Sequence, residues 1–437
     1  MKIAIIGTGY VGLVSAVCFA KLGHEVVGVD NDTAKISDLQ KNIIPIFEPG
    51  LKELLIAVKS DNKITFTTDL KTALNGAQAV FIAVGTPQDE DGSADLTFVL
   101  AAAREIAQSS NDYKVIVTKS TVPVGTGAIL EGVIKKANPQ LEFSVASNPE
   151  FLREGSAVED FMIPDRIVIG SKDDRAKKVL SEIYQKFLAE KIVHTDITTA
   201  EMIKYASNSF LATKISFINE ISDLCEKTGG DIKQLASAIG LDSRIGSKFL
   251  NPGPGFGGSC FPKDIMAIIN VAKANNVELS LINSVISSNV SRKKKMVQKI
   301  SDALGKNIAG KKIALLGLAF KANTDDVRYS PAISIARVLL EKSAKIHATD
   351  PEAIENSRKE LSDISGVEFF VDHYQAIKDA DLIVIATEWK IYSELNFDKI
   401  KQLTKSRVIV DLRNLLDPTK VAAAGFKYIY IGGKNHD

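Results

Sequence analysis

The chain has 437 residues, too many for one ordinary hydrophobic core, and its 45% hydrophobic and 24% charged content is that of a globular, soluble protein of two or three domains. Its 54 Lys and Arg are balanced by 53 Asp and Glu, so no dense basic face exists to make nucleic acid or a membrane surface the main partner. Three scattered cysteines, Cys18, Cys225 and Cys260, make neither a disulfide framework nor a zinc spacing, which predicts a reducing cytoplasmic setting and no metal site.

The chain opens with an apolar run, KIAII (2–6), read as a buried strand, then GTGYVG (7–12), then an apolar helical stretch. This run is too short, and too broken by Gly7 and Gly9, to be a signal peptide, and no later run approaches the roughly twenty apolar residues of a membrane span. A second strand, EVVGV (25–29), ends at Asp30, eighteen residues after Gly12. Strand, glycine turn, helix and acid together predict a dinucleotide site. Gly7, Gly9 and Gly12 make a tight turn that admits a pyrophosphate to the helix N-terminus, and Asp30 bonds a ribose 2′-hydroxyl. An acid there repels a 2′-phosphate, which favours NAD over NADP. Lys35 would soften that preference if it reached the site, whereas a solvated helix position is the plainer reading.

Further apolar runs at 79–84, 115–118, 143–146, 166–169 and 191–194 alternate with helical patterns such as 95–107, which predicts a doubly wound α/β domain over 1–196. Two strand ends carry threonines, Thr86 in GTP and Thr121 in KSTVPVGT, either cofactor neighbours or turn and cap residues. SNPEFLREG (147–155) follows another strand with Glu150 and Glu154, read either as a catalytic base or as two exposed loop acids.

Near residue 196 the pattern turns helical. Thr198 and Glu201 fit a capping box and Gly229 with Gly230 a stop, predicting a helix of about 30 residues and about 45 Å. Lys204 and Asn208, four apart, share one face of it, and Leu211, Ile215, Ile218, Ile221 and Leu224 form a stripe that faces either this chain's core or a second copy. GFGGSCFPKD (255–264) and helical segments at 264–275 and 281–304 complete a central helical domain over 197–304. From 305 to 437 strands return. KKIALLGLAFK followed by KIHATD echoes the start of the chain without its glycine pattern. The expected fold is therefore α/β, two Rossmann-like doubly wound parallel-sheet domains joined by a helical middle with one long helix, and two such domains suggest two nucleotide-bearing ligands.

Cys18 and Cys225 lie in apolar helical contexts and read as core. Cys260 is approached by glycines, and a helix starting just after it would favour a thiolate, with Pro262 suited to the first turn and Asp264 one turn on. Alcohol oxidation to a carbonyl needs no nucleophile. Continuing to an acid does: a thiolate adds to the aldehyde, the thiohemiacetal loses a second hydride, and water hydrolyses the thioester. NAD with an activated cysteine thus points to oxidation by four electrons, with Lys204 and Asn208 as oxyanion donors or, alternatively, as a solvated face. None of the five histidines lies in these motifs, which disfavours a histidine-based 2-hydroxy-acid dehydrogenase.

In order along the chain, GTGYVG, KSTVPVGT, SNPEFLREG, the helix with Lys204 and Asn208, FLNPGPGFGGSCFPKD and GLAFKANTDDVR closely resemble the UDP-glucose 6-dehydrogenase family, within the UDP-glucose/GDP-mannose dehydrogenases. The resemblance spans essentially the whole chain. It implies oxidation of UDP-glucose to UDP-glucuronate with two NAD, Cys260 as nucleophile, Lys204 and Asn208 as oxyanion donors, Asp264 holding the water, Glu150 as hydrolytic base and Thr121 ordering the water. It also implies NAD contacts at the glycine turn with Tyr10 and Val11, then Asp30, Lys35, Thr86, Thr121, Glu154, Lys263 and Arg328. Substrate contacts fall on Glu150, Phe151, Leu152, Arg153 and Glu154, on Lys204 and Asn208, on Phe249, Leu250, Asn251, Pro252, Gly253 and Gly257, and on Lys321. Arg244 resembles an arginine lent to the neighbouring subunit of a homodimer, and Arg413 a further substrate arginine. A sister enzyme for GDP-mannose or a UDP-N-acetylhexosamine, a β-hydroxy-acid dehydrogenase and a non-catalytic NAD sensor are the alternatives; the last two would not need Cys260.

Overall fold

In the computed structural model, which describes residues 1–89 and 92–433, the contacts gather into two compact units, Met1–Ser207 with Met266–Val277, and Asn208–Ile265 with Glu278–Asp437. Each unit is built on one sheet.

In the first unit the strands are β1 (Lys2–Ile6), β2 (Glu25–Val29), β3 (Ile64–Thr67), β4 (Ala79–Ile82), β5 (Lys114–Thr118), β6 (Phe143–Ser147), β7 (Ile167–Gly170) and β8 (Ile192–Thr195). Their order is β3-β2-β1-β4-β5-β6-β7-β8, parallel throughout except where Ser147 on β6 meets Gly170 on β7. β4 and β5 are buried along their whole length, as apolar runs covered by helices on both faces must be. β3 is the strand that sequence pattern does not announce: ITFT is four residues of mixed polarity at the edge of the sheet.

The second unit holds β9 (Lys312–Leu316), β10 (Lys345–Thr349), β11 (Val367–Phe369), β12 (Leu382–Ile385), β13 (Val408–Asp411) and β14 (Lys427–Tyr430). All are parallel, in the order β11-β10-β9-β12-β13-β14, which repeats the order of the first six strands of the other sheet. This unit also contains the helices Ile232–Gly240, which the sequence reading did not mark, and Ser280–Ala303.

The central region is helical, and two of its helices, Ile197–Thr228 and Phe261–Ala274, have residues in both units. The long helix does not start with the expected capping box. Asp196 caps it instead, its Oδ1 accepting the Thr199 N–H at 2.9 Å, while Glu201 turns away and accepts the N–H groups of Gly125 (2.6 Å) and Gly127 (2.8 Å). A carboxylate that can hold two N–H groups of a neighbouring turn gains more there than from one N–H of its own helix. The apolar stripe also differs from the expected one. Ile218 is buried, whereas Phe210, Phe217 and Leu224, seven apart, are 66%, 50% and 58% exposed. No described helix is long and apolar enough to cross a membrane.

Candidate active site

The glycine turn is close-packed at two of its glycines and open at the third. Gly7 has φ +94° and donates its N–H to the Val29 carbonyl at 2.8 Å, and a Cβ on it would sit 2.8 Å from the Ala83 oxygen. A Cβ on Gly12 would lie 1.9 Å from the Gly7 carbonyl, so the helix Tyr10–Lys21 can pack onto the turn only with glycine there. Gly9 caps that helix without a side-chain hydrogen bond, and a Cβ on it would meet nothing within 4 Å. Unused helix N–H groups facing open space are what a phosphate anion requires. Beside them Asp30 is buried, its Oδ2 accepting the Thr8 N–H (2.9 Å), the Thr8 hydroxyl (2.8 Å) and the Lys35 ammonium (3.0 Å). Burial alone would raise the Asp30 carboxyl, but these donors hold it below its ordinary value. Lys35 is therefore turned onto the acid, and the plainer reading of it as a solvated lysine is not what is observed.

The strand-end threonines meet: the Thr86 hydroxyl donates to the Thr121 carbonyl at 3.0 Å. The acids of the following loop do not share one fate. Glu150 is 4% exposed and accepts the Lys204 ammonium at 2.7 Å and the Leu152 N–H at 2.6 Å, so the bland reading of an exposed loop acid fails for it. Burial would raise its carboxyl, yet Lys204, the Leu152 N–H and the charge of Lys119 together hold it below the usual range. Lys119, which the sequence reading passed over, is buried and donates to the carbonyl and Oδ1 of Asn148 at 3.2 and 3.0 Å. Desolvation pulls its ammonium down to about 8, with Lys204 adding to the shift and Glu150 opposing it. Phe151 is stacked under Arg166 at 3.5 Å and lies 5.6 Å from the Lys204 ammonium. Arg153 is exposed and forked onto Asp160, while Glu154 is half-buried.

A second residue missed from sequence is Glu48. It is buried, accepts the Gly155 N–H (2.7 Å) and Ala157 N–H (2.7 Å), and takes the Tyr10 hydroxyl as a further donor. Tyr10 thereby joins the glycine turn to the loop that carries Phe151 to Glu154. The only signal in the sequence was an acid in an irregular stretch.

In the second unit, Cys260 immediately precedes the helix Phe261–Ala274, and its carbonyl accepts the Asp264 N–H at 2.9 Å. The thiol is thus placed at a helix N-terminus with Pro262 in the first turn, and its side chain is half-buried. Asp264 is buried, accepting the Asn208 amide at 2.6 Å on Oδ2 and ion-paired through Oδ1 with the Lys263 ammonium at 2.9 Å. Cys18 and Cys225 are buried, and burial pushes the Cys18 thiol up to about 12. The loop leading to Cys260 is packed against the second sheet: a Cβ on Gly257 would lie 2.5 Å from the Tyr329 carbonyl, and one on Gly258 2.8 Å from the Phe320 ring. Upstream, Phe249 has φ +65°, Leu250, Pro252 and Gly253 are buried and Asn251 is exposed.

The remaining cations are separately engaged. Arg328 is forked onto Asp326 (2.8 Å for both bonds), Lys321 lies 5.4 Å over the Phe320 ring, and Arg413 donates to the carbonyls of Ala386 (2.8 Å) and Phe320 (2.7 Å). Arg244, with an 87% exposed side chain, pairs with Asp242. Val11 is half-buried in the first turn of the helix after the glycines.

Models of three domains match the chain: the UDP-glucose/GDP-mannose dehydrogenase family NAD binding domain over residues 1–188, central domain over 198–291 and UDP binding domain over 314–418. The chain is 51% identical to the UDP-glucose 6-dehydrogenase of Rhizobium meliloti, over 99% of each chain, and 48% identical to UDP-glucose 6-dehydrogenase TuaD of Bacillus subtilis, over 99% of this chain and 93% of that one. Its fold is similar to that of a UDP-glucose dehydrogenase from Pyrobaculum islandicum, with a TM-score of 0.90 and 40% identity over 98% of this chain and 96% of the other. A close-packed glycine turn at a helix N-terminus, a cysteine at another and full-length similarity agree: the chain belongs to the UDP-glucose/GDP-mannose dehydrogenase family and is an NAD-dependent oxidoreductase.

Proposed function

We propose that this protein oxidises UDP-glucose to UDP-glucuronate by four electrons, consuming two NAD. The observation that carries the reading is Cys260 at the start of the helix Phe261–Ala274, with Asp264 one turn on and paired to Asn208 and Lys263. When bound, NAD accepts the hydride lost from the sugar C6 in each oxidation. The Cys260 thiolate adds to the aldehyde carbon, forming a C–S bond and an oxyanion that Lys204 and Asn208 stabilise as donors. After the second oxidation water attacks the thioester, the C–S bond breaks and the thiolate is restored. Glu150 is held anionic by Lys204 and so can take the proton of that water, Thr121 orders the water and Asp264 holds it. Tyr10, Asp30, Lys35, Thr86, Glu154, Lys263 and Arg328 are assigned to NAD. The loops Phe151 to Glu154 and Phe249 to Gly257, with Lys321 and Arg413, are assigned to the UDP-sugar.

The exposed Phe210, Phe217 and Leu224 support a homodimer through the long helix, with the exposed Arg244 reaching the neighbouring subunit's substrate. Three unbridged thiols support a cytoplasmic setting. The test is stoichiometry: two NADH should form for each UDP-glucose consumed, and Cys260→Ala should make no acid. One NADH per sugar with free aldehyde accumulating, or wild-type acid production by Cys260→Ala, would refute this reading.

A further inference from the structure

The loop that precedes Cys260 has little regular structure, and Phe249 (φ +65°) and Gly255 (φ +119°) place it in backbone conformations that need holding. Three buried polar side chains hold it by its peptide groups. Asn219 on the long helix accepts the Gly253 N–H at 2.8 Å, and Arg292 on the helix Ser280–Ala303 donates from Nε to the Gly253 carbonyl at 2.8 Å. Three residues on, Asn289 pairs with both sides of Phe256, accepting its N–H at 2.8 Å and donating to its carbonyl at 3.1 Å. Asn219, Asn289 and Arg292 are 3%, 9% and 3% exposed. Arg292 is itself fixed by the Asn219 carbonyl (3.3 Å), the Ser222 hydroxyl (3.2 Å) and an ion pair with Asp223.

We propose that Arg292, Asn219 and Asn289 are positioning residues for sugar-nucleotide binding: they set the loop 249–257 in its ligand-ready shape from two helices. The proposal rests on the assignment of that loop to the UDP-sugar. Its chemistry follows from the loop's composition. A segment with three glycines and two prolines cannot hold itself by a backbone ladder, so its N–H and C=O groups are unavailable for a precise ligand geometry unless side chains pin them. A side-chain amide carries a donor and an acceptor side by side in fixed geometry, so it can satisfy the N–H and the C=O of one residue at once, which is the use made of Asn289. Arginine supplies a fixed Nε–H to Gly253 while its terminal nitrogens remain tied to the long helix, so the two helices and the loop form one hydrogen-bonded unit. Lysine at 292 would keep the charge for Asp223 and lose the Nε–H geometry. This separates positioning from stability.

Arg292→Lys and Asn289→Ala should raise KM for UDP-glucose about tenfold, the scale of one buried hydrogen bond lost, while KM for NAD stays within about twofold. Hydrogen–deuterium exchange over 249–257 should quicken in both variants. Folded variants that bind UDP-glucose as the wild type does, or whose KM for NAD rises in step with that for the sugar, would overturn the proposal. Should Asn289→Ala not fold, Asn289→Ser is read by the same criteria. The underlying assignment is checked separately in the wild type, where UDP-glucose should slow exchange in this loop. Absence of that protection removes the assignment and the proposal together; protection with indifferent clamp variants removes the proposal alone.

Discussion

The two sheets begin in the same way and end in different chemistry. In each, the first strand runs to a glycine with positive φ, Gly7 at +94° and Gly317 at +96°, and each glycine donates its N–H to the end of the next strand, 2.8 Å from Val29 and 2.8 Å from Thr349. In each, an acid follows that second strand and reaches back to the turn, Asp30 to Thr8 and Asp350 to Leu318 and Ala319. The first chain segment then enters its helix at once, Tyr10–Lys21, whereas the second takes a long excursion before Pro331–Glu341. Gly9 and Gly12 permit the immediate entry and leave open space at the helix N-terminus; Ala319 and its successors do not repeat that pattern.

The acids differ by the same logic. Asp350 takes Leu318, Ala319 and the Trp389 indole N–H on Oδ2 and two further N–H groups, from Glu352 and Ala353, on Oδ1. Asp30 accepts the Asp32 N–H on Oδ1 at 3.1 Å, so a carboxylate oxygen with two lone pairs keeps capacity for a ribose hydroxyl. One scaffold therefore leaves its acid with an open acceptor and the other has it closed by its own chain. A shared strand order tells how the chain packs and not what it binds.

The sharpest way to break the comparison is Gly9→Asp. Nothing lies within 4 Å of a Cβ there and aspartate is a good helix cap, so thermal stability should be kept. A carboxylate in the place of the pyrophosphate should weaken NAD binding ~100-fold or more, about 2.7 kcal/mol. Titration of NAD and a melting curve on the same sample check both halves, and an unchanged NAD affinity would remove the turn from the cofactor site. A smaller effect separates the acids. Asp30→Asn should raise KM for NAD by roughly tenfold, since a charged hydrogen bond is worth about 1.5–3 kcal/mol. Asp350→Asn should leave KM for NAD alone and cost about 1–3 kcal/mol of stability, because an amide cannot accept all five of its donors. Equal effects of the two changes on KM for NAD would erase the distinction.

The smallest effect is in pH dependence. Donors hold the Asp30 carboxyl below its ordinary value of 3.8, so the stability it contributes is present above that pH and is lost as pH falls through its folded pKa. Burial raises the Asp411 carboxyl of the second sheet above 3.8, against the N–H groups of Leu416 and Arg413 and the Tyr428 hydroxyl. Its contribution is full below 3.8 and is lost as pH rises through its raised folded pKa. Melting curves from about pH 3 to about pH 7 should therefore show the deficit of Asp30→Asn shrinking on acidification and that of Asp411→Asn growing. Slopes of the same sign would contradict the assignment of the two environments.

Local sequence by itself determined the strands other than β3, the glycine turn and the special setting of Cys260. Apolar runs such as AVFI and LIVI must be covered on both faces, and a glycine whose Cβ would overlap Gly7 tolerates no other residue. Those constraints act between neighbours along the chain, so the chain spells them out. Tertiary structure alone decided which polar residues pair. Glu48 meets Gly155 across 107 positions, Lys204 meets Glu150 across 54, and Arg292 meets Gly253 across 39. In the sequence Glu48 and Arg292 are charged residues among many, and Lys204 and Glu150 stand out without being paired, because the value of a buried charge lies in the partner that compensates it, and that partner is brought near only by the fold.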